Sequence, residues 1–283
     1  MHSVVCLKQV PDSAQIRIHP VTNTIMRQGV PTIINPYDLF ALEEALRLRD
    51  RFGGRVTVMT MGPPMAEASL RKALAYGADA AVLMTDRVFA GSDTLATSFV
   101  LASGIAKLAA EQPVDIVFAG KQTIDGDTAQ VGPGIASRMK LNQLTYVERI
   151  ADLDLSNRQI VVHRRAEGGV QVLATRLPCL VTMLEGTNEI RFASMDDMFR
   201  AARAEITTWS AADAGIEDVG KCGLRGSPTV VRKVFAPKPL TEKAKAVDVA
   251  NRSSAEIADT VIETLLTANP TLHGDLFKQP PTG

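Results

Sequence analysis

Over about the first 140 residues, short β-branched and apolar runs alternate with amphipathic segments at helical spacing. Strands buried on both faces and joined by helices build parallel sheets with helical layers on either side. The pattern therefore predicts an α/β fold around a doubly wound, mostly parallel sheet. Residues 3–10 read as the first strand. Residues 15–19 and 24–26, around Pro20 and Asn23, suggest a small antiparallel β excursion before the first helix. That helix opens with Asn35 as N-cap and Pro36 in its first turn, turns Leu39, Leu42, Ala45 and Leu46 inward, and stops at Gly53 and Gly54. Strand, helix and strand follow at 55–60, 64–76 and 80–84. Asp93 caps a long apolar helix to about Ala110, 114–119 forms a strand, and 128–139 starts another helix after a glycine-bearing loop.

Beyond residue 145 the pattern becomes alternating strands at 146–150, 159–165 and 170–174, with Gly168 and Gly169 as a hairpin turn. Residues 179–183 return to the main sheet. A helix from Met195 precedes a loose stretch rich in Ala, Gly and Pro, and 242–268 reads as helix before a Pro-rich end that wraps a partner or frays.

Lys and Arg total 31, as do Asp and Glu, so no bulk field draws nucleic acid or an anionic membrane. Cys6, Cys179 and Cys222 lack metal or disulfide spacing. His2, His19, His163 and His273 are scattered without ligand spacing, which argues against a metal site. The apolar start is short and broken by Lys8, and no run reaches about 18 apolar residues. These features predict a cytoplasmic protein that is not itself membrane-inserted.

In an open parallel sheet, ligands bind outside the carboxyl ends of the strands. Gly62-Pro63-Pro64, residues 91–94 and residues 120–134 follow such strands and could converge on one crevice. In the last segment small residues allow backbone to approach a phosphate, Thr128 offers a hydroxyl, and the amides opening the next helix favour anions. Asp125 and Asp127 would repel phosphate, so they are placed on ribose hydroxyls, helix-capping amides or a cation. Glycine-bearing loops before helices also occur as plain turns. Neither GxGxxG nor GxxxxGK[ST] is present, which argues against a dinucleotide-type Rossmann dehydrogenase and a P-loop ATPase.

Several motifs resemble the electron transfer flavoprotein beta subunit: residues 5–12, Asn35-Pro36-Tyr37-Asp38, Gly62-Pro63, residues 72–79, residues 120–127 and residues 188–192. The resemblance implies an adenine-nucleotide-binding fold over 1–193, including a β-hairpin region at 145–175, with 194–283 as a partner-wrapping arm and helical extension. It also implies a heterodimer with an alpha subunit that carries one FAD in a mobile domain. In ordinary members the beta subunit holds structural AMP, and the long loop reads Ile-Asp-Asp-Asp-x-Asn-Gln. Here Gly126 and Ala129 remove bulk, as in members that bind FAD and divide electron pairs from NADH between a high- and a low-potential acceptor. By position in the family pattern, the nucleotide is lined by Cys6, Asn35, Pro36, Tyr37, Asp38, Met61, Thr123, Ile124, Asp125, Gly126, Asp127, Thr128, Ala129, Gln130, Val131, Gly132, Pro133 and Gly134. Asp93, Thr94 and Thr97 fall nearer the flavin end.

Residues 31–38 and the long carboxy-terminal stretch look like Fix-type members, which feed low-potential electrons, through ferredoxin or flavodoxin, toward nitrogenase and work with a quinone-linked membrane complex. That association implies a peripheral position at the inner membrane through partners. The flavin carries the chemistry, so no catalytic side chain is assigned. Partner docking in the family matches residues 191–198, where Met195 is either an apolar knob or a core methionine. Cys6 reads as a small core hydrophobe beside the adenine, Arg164 and Arg165 as a solvated strand end or a flavin contact, and Lys8 and Lys121 as solvent-facing or anion-steadying. ATP binding of the stress-protein kind shares the fold but lacks support outside the loop.

Overall fold

The structure, a computed structural model, describes residues 1–12, 17–18, 25–26, 31–229 and 246–269. β1 (His2–Cys6) is buried along its whole length. It ends at Leu7, whose N–H donates to Met59 O at 2.8 Å, and the chain turns outward into β2 (Gln9–Pro11). The single strand expected over 3–10 is two strands, because the Lys8 N–H goes to the Asp38 carboxylate at 2.7 Å rather than to a neighbouring strand. β3 (Arg17–Ile18) pairs antiparallel with β4 (Ile25–Met26), and β5 (Thr32–Ile34) with β2. These ribbons form the expected excursion. Gln15, Ile16, His19, Pro20, Asn23 and Thr24 lie outside the described residues.

α1 (Pro36–Phe52) leads through Gly53, at φ +74°, to β6 (Arg55–Met61). A 3-10 turn at Pro64–Ala66 precedes α2 (Glu67–Ala75), so the segment expected as one helix over 64–76 is divided. β7 (Ala80–Met84), α3 (Thr94–Glu111), β8 (Ile116–Gly120) and α4 (Val131–Met139) complete the alternation. β9 (Asn142–Asp154), β10 (Gln159–Ala166), β11 (Gly169–Arg176) and β12 (Cys179–Met183) follow. The last described elements are α5 (Met195–Arg203), β13 (Thr207–Trp209) and α6 (Ser254–Ala268).

Among the described residues the main sheet has nine strands in the order β11-β10-β9-β12-β8-β1-β6-β7-β13. From β9 to β13 in that order each neighbouring pair is parallel. β10 and β11 extend the sheet antiparallel beyond β9. The chain first builds outward from β1 through β6 and β7, then crosses to the other side of β1 with β8. The order therefore reverses between β1 and β8, where a crevice opens at the carboxyl ends of both strands.

Leu42, Leu46, Leu70, Leu74 and Phe118 belong to one core cluster, fed by α1 and α2. Val4, Val100, Ile105, Ile135 and Trp209 belong to a second, fed by α3 and α4. The stretch after α5, which reads as loose from its composition, packs into this second cluster through Trp209, Ala211, Ala214, Ile216 and Cys222. Its small residues are buried contacts, and β13 pairs in parallel with β7.

The chain divides into two compact units, Met1–Ala236 and Pro237–Gly283. In the second, α6 begins at Ser254 rather than at 242. Ser253 and Glu256 form a capping box there, each side chain bonded to the other's backbone N–H. Residues 242–245 lie outside the described residues. Among the described residues no helix is long and apolar enough to cross a membrane.

Trp209 is 8% exposed and lies under the Lys107 ammonium, 4.4 Å from the ring centroid. Trp209→Ala is expected to destabilise the first unit by about 3–5 kcal/mol, read as a lower urea midpoint. A midpoint unchanged from wild type would mean that residues 207–222 do not belong to its core.

Candidate functional site

A cavity of about 310 Å³ lies at the reversal point. Four strand ends contribute to its wall: Cys6, Leu7 and Lys8 after β1, Met61 at the end of β6, Ser92, Asp93, Thr94 and Thr97 beyond β7, and Ala119 to Thr123 at β8. Asp38, Leu101, Gly126, Thr128, Ala129, Gln130, Val131 and Gly132 complete it. Of the residues singled out from the sequence, Asn35, Pro36, Tyr37, Ile124, Asp125, Asp127, Pro133 and Gly134 do not line it. Of the lining residues, Leu7, Ser92, Leu101, Ala119, Gly120 and Gln122 were not picked individually. Apart from Leu101, inside α3, and Ser92, just before the cap of α3, they sit at or just after strand ends, the position that could have found them.

The wall is assembled by the first turn of α1. Asp38, 5% exposed, accepts from Lys8 N–H at 2.7 Å and from Gly120 N–H at 3.1 Å, joining the ends of β1 and β8. Burial pushes its carboxyl up to about 7, against the hydrogen bonds from Asn35, Lys8 and Gly120. Only glycine fits at 120: a Cβ there would lie 2.5 Å from Asp38 Oδ1 and 2.6 Å from Tyr37 Cβ. Asn35 stands at the N-cap position but makes no side-chain cap. Its fully buried amide instead donates to Gln122 O at 2.9 Å and accepts from Ile124 N–H at 3.2 Å, pinning the long loop. Pro36 begins the helix where no N–H is needed.

The amino ends of α3 and α4 also reach the cavity, and they differ. Asp93 caps α3, accepting from Leu95 N–H at 2.9 Å and Ala96 N–H at 3.0 Å. The same carboxylate accepts from the Thr229 hydroxyl and N–H at 2.6 and 3.1 Å. Burial opposes its charge, but these bonds outweigh that and hold the carboxyl below its usual range. α4 has Gln130 at its N-cap position with no side-chain cap, and Gln130, Val131 and Gly132 line the cavity. Free amides at a helix amino end attract anions. Gly134 serves packing: a Cβ there would meet Ser98 Cβ at 2.8 Å. Pro133 lies in the first turn, where its missing N–H leaves no helical bond unmade.

The acidic residues of the loop cap no helix. Asp125 pairs with Lys8 Nζ at 2.8 Å. Burial works against its charge, while Lys8 and the Thr123 hydroxyl outweigh burial and keep its carboxyl below the usual range. Asp127 accepts from Gln122 Nε2 at 2.8 Å. Asp125 is thereby neutralised by Lys8, while Asp127 is held by a neutral amide and keeps its charge. Cys6 is 6% exposed, and burial, reinforced by Asp38, pushes its thiol up to about 12, so it is an unreactive wall residue. Arg164 donates to Thr145 O at 2.9 Å and Arg165 to Glu148 at 2.8 Å, and neither lines the cavity. Elsewhere on the surface, Phe192 is 96% and Met195 65% exposed, so Met195 is not a core residue. Arg191 anchors this segment through Glu43, with Nε to Oε2 at 2.9 Å.

The family model of the electron transfer flavoprotein domain matches residues 22–214. The chain belongs to the electron transfer flavoprotein family. It is 67% identical over 277 residues to Protein FixA of Azorhizobium caulinodans, covering 98% of each chain. It is 63% identical over 279 residues to Protein FixA of Azotobacter vinelandii, covering 99% of each. It is 50% identical over 255 residues to the electron transfer flavoprotein subunit beta of Clostridium acetobutylicum, covering 90% of this chain and 95% of that one. Within the electron transfer flavoprotein family it is thus a beta-subunit-like member of the Fix type.

The clamp has a pH signature. Because folding raises the Asp38 carboxyl to about 7 from an ordinary value of 3.8, the folded chain binds the extra proton between those limits. The Asp38 contribution is complete below about pH 4 and is lost as pH rises toward about 7. Asp38→Asn should remove this dependence and cost roughly 1–3 kcal/mol, since its amide nitrogen must face an N–H donor. Urea midpoints measured across pH 4–8 check both; identical slopes for the two proteins would contradict the raised Asp38 carboxyl, and an unchanged midpoint in Asp38→Asn would contradict the clamp.

Proposed function

We propose that the cavity binds FAD and that the chain works as the beta subunit of a heterodimer with an electron transfer flavoprotein alpha subunit. In this reading, electrons from NADH pass toward quinone and toward ferredoxin or flavodoxin, in support of nitrogen fixation. The observation that carries the nucleotide reading is the uncapped amino end of α4 opening onto the cavity beside Gly126 and Ala129. Backbone amides there suit a pyrophosphate, and two small side chains leave room for a ligand that continues past it.

When bound, FAD supplies hydride acceptance and one-electron transfer. The chain's own residues bind and orient. Thr128 and the α4 amides face phosphate, Asp38 and Asn35 hold the wall in place, and Cys6 and Leu7 offer an apolar surface to a ring. The alpha-subunit reading rests on the beta-subunit relatives and on the exposed segment after β12. Phe192, Met195, Met198 and Phe199 stand out there as apolar anchors suited to a partner. One observation favours AMP as the second reading: about 310 Å³ is near the lower limit for ligand pockets.

Flavin content of the purified heterodimer separates the two. Two FAD per heterodimer, falling to one in Gly126→Asp, is the expected result; one FAD in the wild type, with AMP released on denaturation, would replace FAD by AMP in this subunit.

A further inference from the structure

Tyr146 adopts φ +59° in the middle of β9. The left-handed region is unfavourable for an aromatic residue, and such strain persists only where the surroundings impose it. Here they do. Tyr146 N–H donates to the buried Thr182 hydroxyl at 3.2 Å, across a register shift between β9 and β12. The preceding carbonyl, of Thr145, accepts from Arg164 Nε at 2.9 Å. Core packing does not explain the strain, because Tyr146 is 37% exposed. The conformation instead sets its ring 5.6 Å from Lys121 Nζ, while Tyr37 stands 5.7 Å from the same atom.

Lys121 lines the cavity, and its backbone N–H is fixed to Met183 O at 2.9 Å. The other lysine of the lining, Lys8, is neutralised by Asp125 at 2.8 Å. Among the described residues Lys121 has no carboxylate within ion-pair distance. Two aromatic faces restrict a flexible ammonium without neutralising it, so the charge stays available to an anion and less rotamer entropy is lost when one binds.

We propose that Lys121, caged by Tyr37 and Tyr146, is the cation that holds the phosphate of the cavity's ligand, and that the strain at Tyr146 is retained to build this cage. The inference rests on the nucleotide reading above and adds to it the group that distinguishes a phosphorylated adenine compound from adenosine.

The test is calorimetric titration of the full-length chain with ADP and with adenosine, paired with urea unfolding. Lys121→Gln should weaken ADP about tenfold or more and leave adenosine within about twofold. Tyr146→Phe, which keeps a ring of the same shape, should bind ADP as wild type does. Tyr146→Gly relieves the strain and removes the ring, so ADP binding should weaken while the urea midpoint stays level or rises. Unchanged ADP affinity in Lys121→Gln, or equal losses for ADP and adenosine, would overturn the inference. So would a Tyr146→Gly protein that binds ADP normally and unfolds at lower urea, since that marks a purely structural tyrosine. Wild-type protein that binds neither compound would overturn the nucleotide reading itself, and the inference with it.

Discussion

The carboxyl of Asp38 joins the ends of β1 and β8, the two strands between which the sheet order reverses. Parallel strands diverge at their carboxyl ends, and backbone donors there have no ladder partner. Asp38 satisfies one such donor on each strand from a single buried side chain. The cost is its own desolvation, visible in a carboxyl pushed up to about 7. Lys8 leaves the sheet because of this bond, Gly120 must lack a side chain to allow it, and Asn35 extends the same helix turn to Gln122 and Ile124. The long loop after β8 is thus suspended from the start of α1.

From that clamp follows a division of charge. Besides the first turn of α1, the cavity receives the amino ends of α3 and α4 and two lysines, and in each of these two pairs one member is neutralised by the protein itself. Asp93 occupies the α3 end and Asp125 occupies Lys8. The α4 end and Lys121 keep their positive character. An anion entering the cavity therefore meets a one-sided field, and Asp125, which looks unfavourable to phosphate in sequence, contributes to that asymmetry by pairing with Lys8.

Much of the fold was legible because it rests on periodicity. The strand over 179–183 and the helix from Pro36 to the Gly53 stop show their burial patterns directly. Positions after strand ends located the cavity, since the geometry of parallel sheets requires it. What was not legible depends on contacts far apart in sequence. Asn35 looks like a cap because Asn and Pro in tandem usually are one, yet its amide reaches a loop 87 residues away. The stretch after α5 reads as loose because Ala and Gly are ambiguous: Ala211 and Ala214 are buried, and Gly223 and Gly226 permit backbone approaches that a Cβ would close to 2.3 and 2.1 Å. A three-residue strand such as β13 is too short for alternation to show. Nothing local marks the left-handed turn at Tyr146, because tyrosine followed by valine is ordinary strand sequence.

In the proposed reading the ligand's phosphate sits at the amino end of α4. Hydrogen exchange of the complex with an alpha subunit, compared between nucleotide-loaded and nucleotide-stripped protein, is the decisive measurement. Nucleotide is expected to slow exchange at Val131 and Gly132, together with the loop from Lys121 to Gln130, while the Asp93-capped start of α3 changes little. Protection at the start of α3 with none at α4 would contradict it.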